Sequence, residues 1–227
     1  MKFRLISILI SIMIFFGANA QTHYRAHISM GGKAGVSLGR LDLSPSVPQS
    51  WLMGTCGAVT FRYTEEKLFG LVAELGWAQR GWKENFEEAP LQYQRTLTYV
   101  SLPIMTQIIF GGRRAKCFIN LGPQVSFMIA ENIKSNFDYH NPSSVTDWPE
   151  RQRQTDQLAM PVHNKFDYGI AGGAGAEFYI KPRHSITLEA RYYFGLGNIF
   201  RARKSDVFSA SRCTAIEVTL GYFFRLK

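Results

Sequence analysis

Apolar and polar residues alternate one by one through most of this chain, and helical spacing is nearly absent. Period-two alternation is the signature of β-strands with two unlike faces. The last segment is clearest: Ile216, Val218, Leu220, Tyr222 and Phe224 share one face, opposite Ala215, Glu217, Thr219, Gly221 and Phe223. Segments 185–195, 117–130, 99–110 and 68–80 repeat the pattern, and 27–39, 51–63 and 166–179 complete a set of eight expected strands.

The first twenty residues stand apart. Lys2 and Arg4 precede an apolar run from Leu5 to Phe16, and Ala18-Asn19-Ala20 follows with small residues flanking a cleavage position. This reads as a secretory signal peptide over 1–20, cut after Ala20, with the folded domain over 21–227. No other apolar run is long enough for a membrane helix. At 46% hydrophobic, 14% aromatic and only 19% charged, the chain is not of disordered composition. Three cysteines without a C-x-x-C exclude a disulfide framework and the usual zinc sets. Cys56, Cys117 and Cys213 fall at different heights on separate strands, so no disulfide is expected. An exported all-β chain has two destinations: a soluble barrel, or a closed barrel in an outer membrane.

Connection lengths favour the membrane. Short turns at 64–67, 111–115 and 180–184 alternate with long connections at 40–50, 81–98, 131–165 and 196–212. Outer-membrane barrels segregate short periplasmic turns from long extracellular loops in this way. The polar face supplies Lys33, Arg62, Glu74, Glu177, Glu189, Arg191 and Glu217, which would meet as a salt-bridged cluster in the lumen. Phe61, Tyr63, Phe69, Phe110, Phe178, Tyr222 and Phe224 lie beside the short turns, and Trp51, Trp77, Phe127 and Phe194 nearer the long loops, as two aromatic girdles would. The expected fold is all-β: an eight-stranded, antiparallel, up-and-down transmembrane β-barrel with both termini periplasmic. Eight strands leave an interior filled by side chains, so a diffusion pore is disfavoured.

Several framework segments support a family reading. Thr98-Tyr-Val-Ser-Leu-Pro-Ile104, Ile119-Asn-Leu-Gly-Pro-Gln-Val125, the G-x-G-x-E of Gly173 to Glu177, and Glu189-Ala-Arg-Tyr192 resemble the PorT-like outer-membrane β-barrel family of Bacteroidetes. The resemblance runs through nearly all of 28–226. It implies an outer-membrane barrel of eight strands, and a family whose eponymous member is tied to type IX protein secretion.

Chemistry-bearing motifs are sparse. Gly35-Val-Ser37-Leu-Gly39 matches G-x-S-x-G, but it lies in an alternating strand with no following helix, where a nucleophile elbow cannot form. Gly172-Gly173-Ala174-Gly175 lacks the third glycine and the helix of a dinucleotide loop. His23 and His27 are the only close histidine pair, near the start of the expected domain. No catalytic, metal or cofactor site is expected. Arg151, Arg153, Arg201, Arg203, Lys204 and Arg212 make the long loops basic within a chain of net charge +9, facing the acidic stretch Glu84, Glu87 and Glu88. The expected partners are outer-membrane lipid, with lipopolysaccharide or acidic glycans at the basic loops and other envelope proteins; nucleic acid is excluded for an exported chain without a recognition motif. The favoured role is a non-enzymatic structural or surface-interaction protein. A secretion or envelope-machine component, a small-solute channel and a soluble periplasmic ligand-binding barrel are the alternatives.

Overall fold

The computed structural model describes residues 26–65, 68–86, 89–145, 148–149, 154–203 and 206–226. The expected signal peptide, His23 and the basic residues Arg151, Arg153 and Lys204 lie outside these, as do Glu87 and Glu88. The strands are β1 (His27–Ser44), β2 (Gln49–Ser50), β3 (Leu52–Thr64), β4 (Phe69–Glu84), β5 (Tyr93–Gly111), β6 (Ala115–Ser135), β7 (Phe166–Lys181), β8 (His184–Gly195) and β9 (Ala210–Arg225). The eight long strands pair antiparallel in chain order. β9 then pairs with β1 from Ser29–Arg225 to Ser44–Ala210, which closes the ring. Two-residue β2 only adds to β4. The result is an up-and-down barrel, with the short turns and the first and last described residues at one rim and the long connections at the other.

The alternation becomes an inside-out barrel. Leu75, Leu121, Ile129 and Leu220 are each about 60% exposed, while Glu74, Asn120, Glu189 and Thr219, from the opposite face, are buried. Monomeric soluble proteins rarely show an apolar surface of such continuity. The soluble alternative needs the reverse arrangement. On β5 the band runs from Val100 to Phe110, ten residue steps, about 33 Å along a strand. At the usual tilt that is about 25 Å of height, the apolar belt of an outer-membrane barrel. Aromatics edge it: Trp77, Phe127, Phe166 and Tyr168 toward the long loops, and Phe69, Phe110, Phe178 and Tyr222 toward the short turns, all exposed. Trp77 pairs with Gly57. A Cβ on Gly57 would lie 2.5 Å from the Trp77 ring, so the glycine is what lets the indole lie flat across the neighbouring strand.

Above the long-loop edge the pattern changes sense. Along β5, Tyr93, Leu97 and Tyr99 are fully buried, and the outward positions are Gln94, Thr96 and Thr98. On β1, Leu41 and Leu43 point inward and Arg40, Asp42 and Ser44 outward. On β4, Trp82 is buried and its neighbour Lys83 exposed. A register shift at Thr98/Tyr99 against β6 marks the edge. Here the barrel stands in water and its apolar residues turn inside. This corrects four expected loops. Residues 40–44, 81–84, 93–98, 131–135 and 210–212 are strand, because they extend the barrel beyond the band.

The described residues of the remaining long connections supply an inward-folded cap. Leu158, Ile199, Phe200 and Phe208 are buried with Leu41, Trp82, Tyr93, Leu97 and Tyr99 in one hydrophobic core. Phe137, Trp148 and Met160 pack against it. Edge-to-face contacts bind the layers: Trp82 to Phe200 at 6.1 Å, Phe86 to Phe137 at 5.7 Å and Phe137 to Trp148 at 5.5 Å. The expectation of a long polar loop over 131–165 gives way to a segment whose apolar residues close the barrel.

Candidate functional site

Inside the belt the structure places charges in three tiers. Nearest the short turns, Arg62 bonds Glu177 at 2.8 Å, and the other Glu177 oxygen accepts from Ser185 at 2.6 Å. The Arg62 guanidinium lies 4.3 Å over Phe223. The middle tier is a charge-balanced square. Arg191 makes a two-point contact with Glu74 at 2.7 and 3.0 Å and reaches Glu189 at 2.7 Å. Lys33 closes the other side, at 2.8 Å to Glu74 and 3.0 Å to Glu189. Asn120 donates to Glu189 at 2.9 Å, and Gln107 to Asn120 at 2.9 Å. Buried ions survive when every charge is paired and further hydrogen-bonded, as here.

The third tier was only half visible in the sequence. Glu217 does not join the square; its partner is Arg80, at 3.4 Å. Arg80 is wholly buried, lies 3.9 Å over the Tyr193 ring and 3.9 Å from Asp167, and Asp167 accepts from Tyr193 at 2.8 Å. Arg80 closes the expected strand 68–80 on its polar face and Asp167 stands at the start of 166–179; neither was counted in the lumen cluster, although their parity matches Glu74 and Glu177. Higher still, Arg95 pairs with Glu131 and donates to the Met160 carbonyl at 2.7 Å, tying the cap to the wall. Tyr93 donates to the Leu158 carbonyl at 2.7 Å. Burial in the cap pushes this phenol well above its ordinary pKa, so it stays a donor. Glu84, expected on a solvated acidic loop, is instead buried, accepting from Trp82 at 3.0 Å and Gln157 at 3.3 Å.

Among the described residues, these tiers fill the lumen at mid-belt. The space beside Lys33, Glu74, Gln124, Arg191 and Glu217 is about 20 Å³, enough for one water. Ser37 lies buried within β1, and Gly172–Gly175 lies within β7, neither leading into a helix. Cys56, Cys117 and Cys213 are free thiols on three separate strands.

The long-loop rim carries an open groove of about 830 Å³, lined by His163, Lys165, Arg201 and Arg203 above Phe127, Phe166 and Tyr168. Arg201 and Arg203 are exposed, and among the described residues no carboxylate lines the groove. Its floor is set by backbone bonds: His163 and Asn164 both donate to the Ile199 carbonyl, at 2.9 and 3.1 Å. Arg212 does not line it; it stands in register with Asp42 on the β1–β9 pair. Lys165 and His163 escaped the sequence reading because they flank β7 singly and meet the 201–203 segment only in the folded barrel.

An apolar outer band around a polar interior is the architecture of outer-membrane barrels. Residues 19–201 match the outer membrane protein beta-barrel domain family, and the chain belongs to that family. No curated protein sequence matches it. Among solved structures, the outer membrane protein OprG from Pseudomonas aeruginosa is 11% identical, with 88% of this chain and 95% of that one covered and a TM-score of 0.51. Outer membrane protein W of E. coli is 15% identical, with coverages of 89% and 100% and a TM-score of 0.45. Ail of Yersinia pestis, solved with the heparin analogue sucrose octasulfate, is 12% identical, with coverages of 87% and 99% and a TM-score of 0.41. The likeness to OprG is one of fold.

Proposed function

We propose that this protein is a closed, non-enzymatic outer-membrane barrel that acts through its extracellular end, where the rim groove takes anionic headgroups of lipopolysaccharide or acidic glycans. The observation that carries the reading is the groove itself. It brings His163, Lys165, Arg201 and Arg203 together at the height where the aromatic edge meets water, with no acid among its described lining residues and Asp206 bonded to the Arg203 backbone beside it. Phosphate and carboxylate groups of surface glycolipid lie at that height, and the aromatics below face acyl chains. The filled lumen argues against the small-solute channel. Residues 1–20 act as the cleaved signal, leaving Gln21 as the first residue, and the short turns face the periplasm.

The PorT-like motifs fall largely on the barrel framework. Glu189 and Arg191 of one motif, and Glu177 of another, are lumen ion-pair residues. The resemblance therefore speaks to how the barrel is filled, and a secretion-machine role would have to reside in the loops.

Trypsin on intact cells, with mass mapping of the fragments, tests the orientation. Cleavage is expected at exposed basic positions of the 131–165 and 196–212 connections, with Arg113, Arg114 and Arg183 protected until the outer membrane is opened. The reverse pattern overturns the orientation. Binding of bis-phosphorylated lipid A to the purified barrel tests the groove. It should weaken several-fold in Arg201→Gln/Arg203→Gln and with added salt. Equal binding of dephosphorylated lipid A would remove the anion-binding reading.

A further inference from the structure

We infer that the opposite rim carries a second cationic site, which holds the phosphate of an anionic phospholipid from the periplasmic leaflet. The inference rests on the orientation proposed above. A groove of about 720 Å³ opens between the β5–β6 and β7–β8 turns, lined by Arg113, Arg114, Lys116, Lys181 and Arg225 around Tyr179. Two of these cations are held in place by the ring: Lys116 lies 5.3 Å and Arg225 5.5 Å from the Tyr179 centroid, and Arg225 donates to its hydroxyl at 3.4 Å. Glu177 faces Lys116 in register across β6–β7, but its oxygens are taken by Arg62 and Ser185. Among the described residues, none of the five cations is ion-paired with a carboxylate. Gly111, at φ 127°, takes a conformation that glycine adopts readily, and it begins the turn that carries Arg113 and Arg114.

Five cations in one groove, with no acid among its lining residues, call for an anion. The wall decides which kind. Ile180 lines the groove and is exposed on the outer face, continuous with Phe178 and Phe110 at the lower edge of the apolar band. A ligand seated here would meet acyl-chain surface on one side and guanidinium groups on the other. A phospholipid supplies both halves, whereas a soluble acidic peptide has no use for the apolar wall. Basic pockets at membrane edges recognise anionic headgroups in this manner.

The test measures lipid selectivity of the folded barrel in phosphatidylcholine vesicles, using spin-labelled phosphatidylglycerol against spin-labelled phosphatidylcholine. It is run in the Arg201→Gln/Arg203→Gln background, which silences the outer groove and keeps its failure separate. Phosphatidylglycerol should be preferred, and the preference should fall by about fivefold per cation removed in Arg113→Gln, Arg114→Gln and Lys181→Gln. All three residues are exposed at turn ends, and a heat-dependent mobility shift confirms the folded barrel. Salt should erase the preference in the parent without any further substitution. No preference, or one that survives both salt and the substitutions, overturns the proposal. Poly-L-glutamate bound by the same cations, with no lipid selectivity, would also overturn it and assign the groove to a soluble acidic partner.

Discussion

The membrane-spanning part of the barrel and the part above it are one continuous sheet built on opposite rules. In the belt, Leu121 faces out and Asn120 in; in the cap, Thr96 faces out and Leu97 in. The belt interior is held by directional ion pairs, Arg191 with Glu74 and Glu189, and Arg62 with Glu177. The cap interior is held by apolar and aromatic packing around Trp82, Tyr93, Leu158 and Phe200. The strands run on across the boundary, with one register shift at Thr98/Tyr99. What changes is the solvent outside: lipid removes the hydrophobic reward for burying leucine, and polar groups can then be satisfied only in the lumen.

That contrast can be broken from either side. The largest effect is expected from Arg191→Met, which leaves Glu74 and Glu189 sharing Lys33 alone. It should cost about 3–5 kcal/mol in reversible unfolding from lipid vesicles. Adding Glu74→Gln restores charge balance and should recover most of that loss. If the double variant is no better than the single, the square is not held by charge balance. In the cap, Leu158→Ala removes buried apolar volume and should cost about 2–5 kcal/mol. It should also make the 136–165 connection more sensitive to protease while the belt stays folded. If belt and cap melt together, the two regions are one cooperative unit.

The outer surface gives a paired test. Leu121→Arg, near mid-belt, should cost about 2–4 kcal/mol. Thr96→Arg, on the outside of the cap, should stay within about 0.5 kcal/mol. Equal costs would mean that the membrane edge is not near Tyr99 and Val100.

Much of this was legible before any coordinates. The belt residues alternate strictly, so their two faces could be sorted, and the seven charges assigned to the lumen all lie within the barrel. Asp167 was passed over at the very start of its expected strand, and Arg80 because its strand was ended where the outward residues turned polar. Lys83, Gln94, Thr96 and Arg40 read as loop for the same reason: above the membrane an outward strand position is polar, and an alternation that changes sense looks like one that stops. Val47, Phe137, Leu158, Phe200 and Phe208 have no periodic context, so nothing local marked them as a cap core.

Composition and alternation alone carried the strands, the two faces and the segregation of short from long connections, because each depends only on neighbours in the chain. Closure of β9 onto β1, the partner of each buried charge, the inward fold of the long connections and the two basic grooves came from the tertiary structure. These depend on which residues share a height around a ring, and ring height is set by the registers of eight strand pairs. No single segment encodes it.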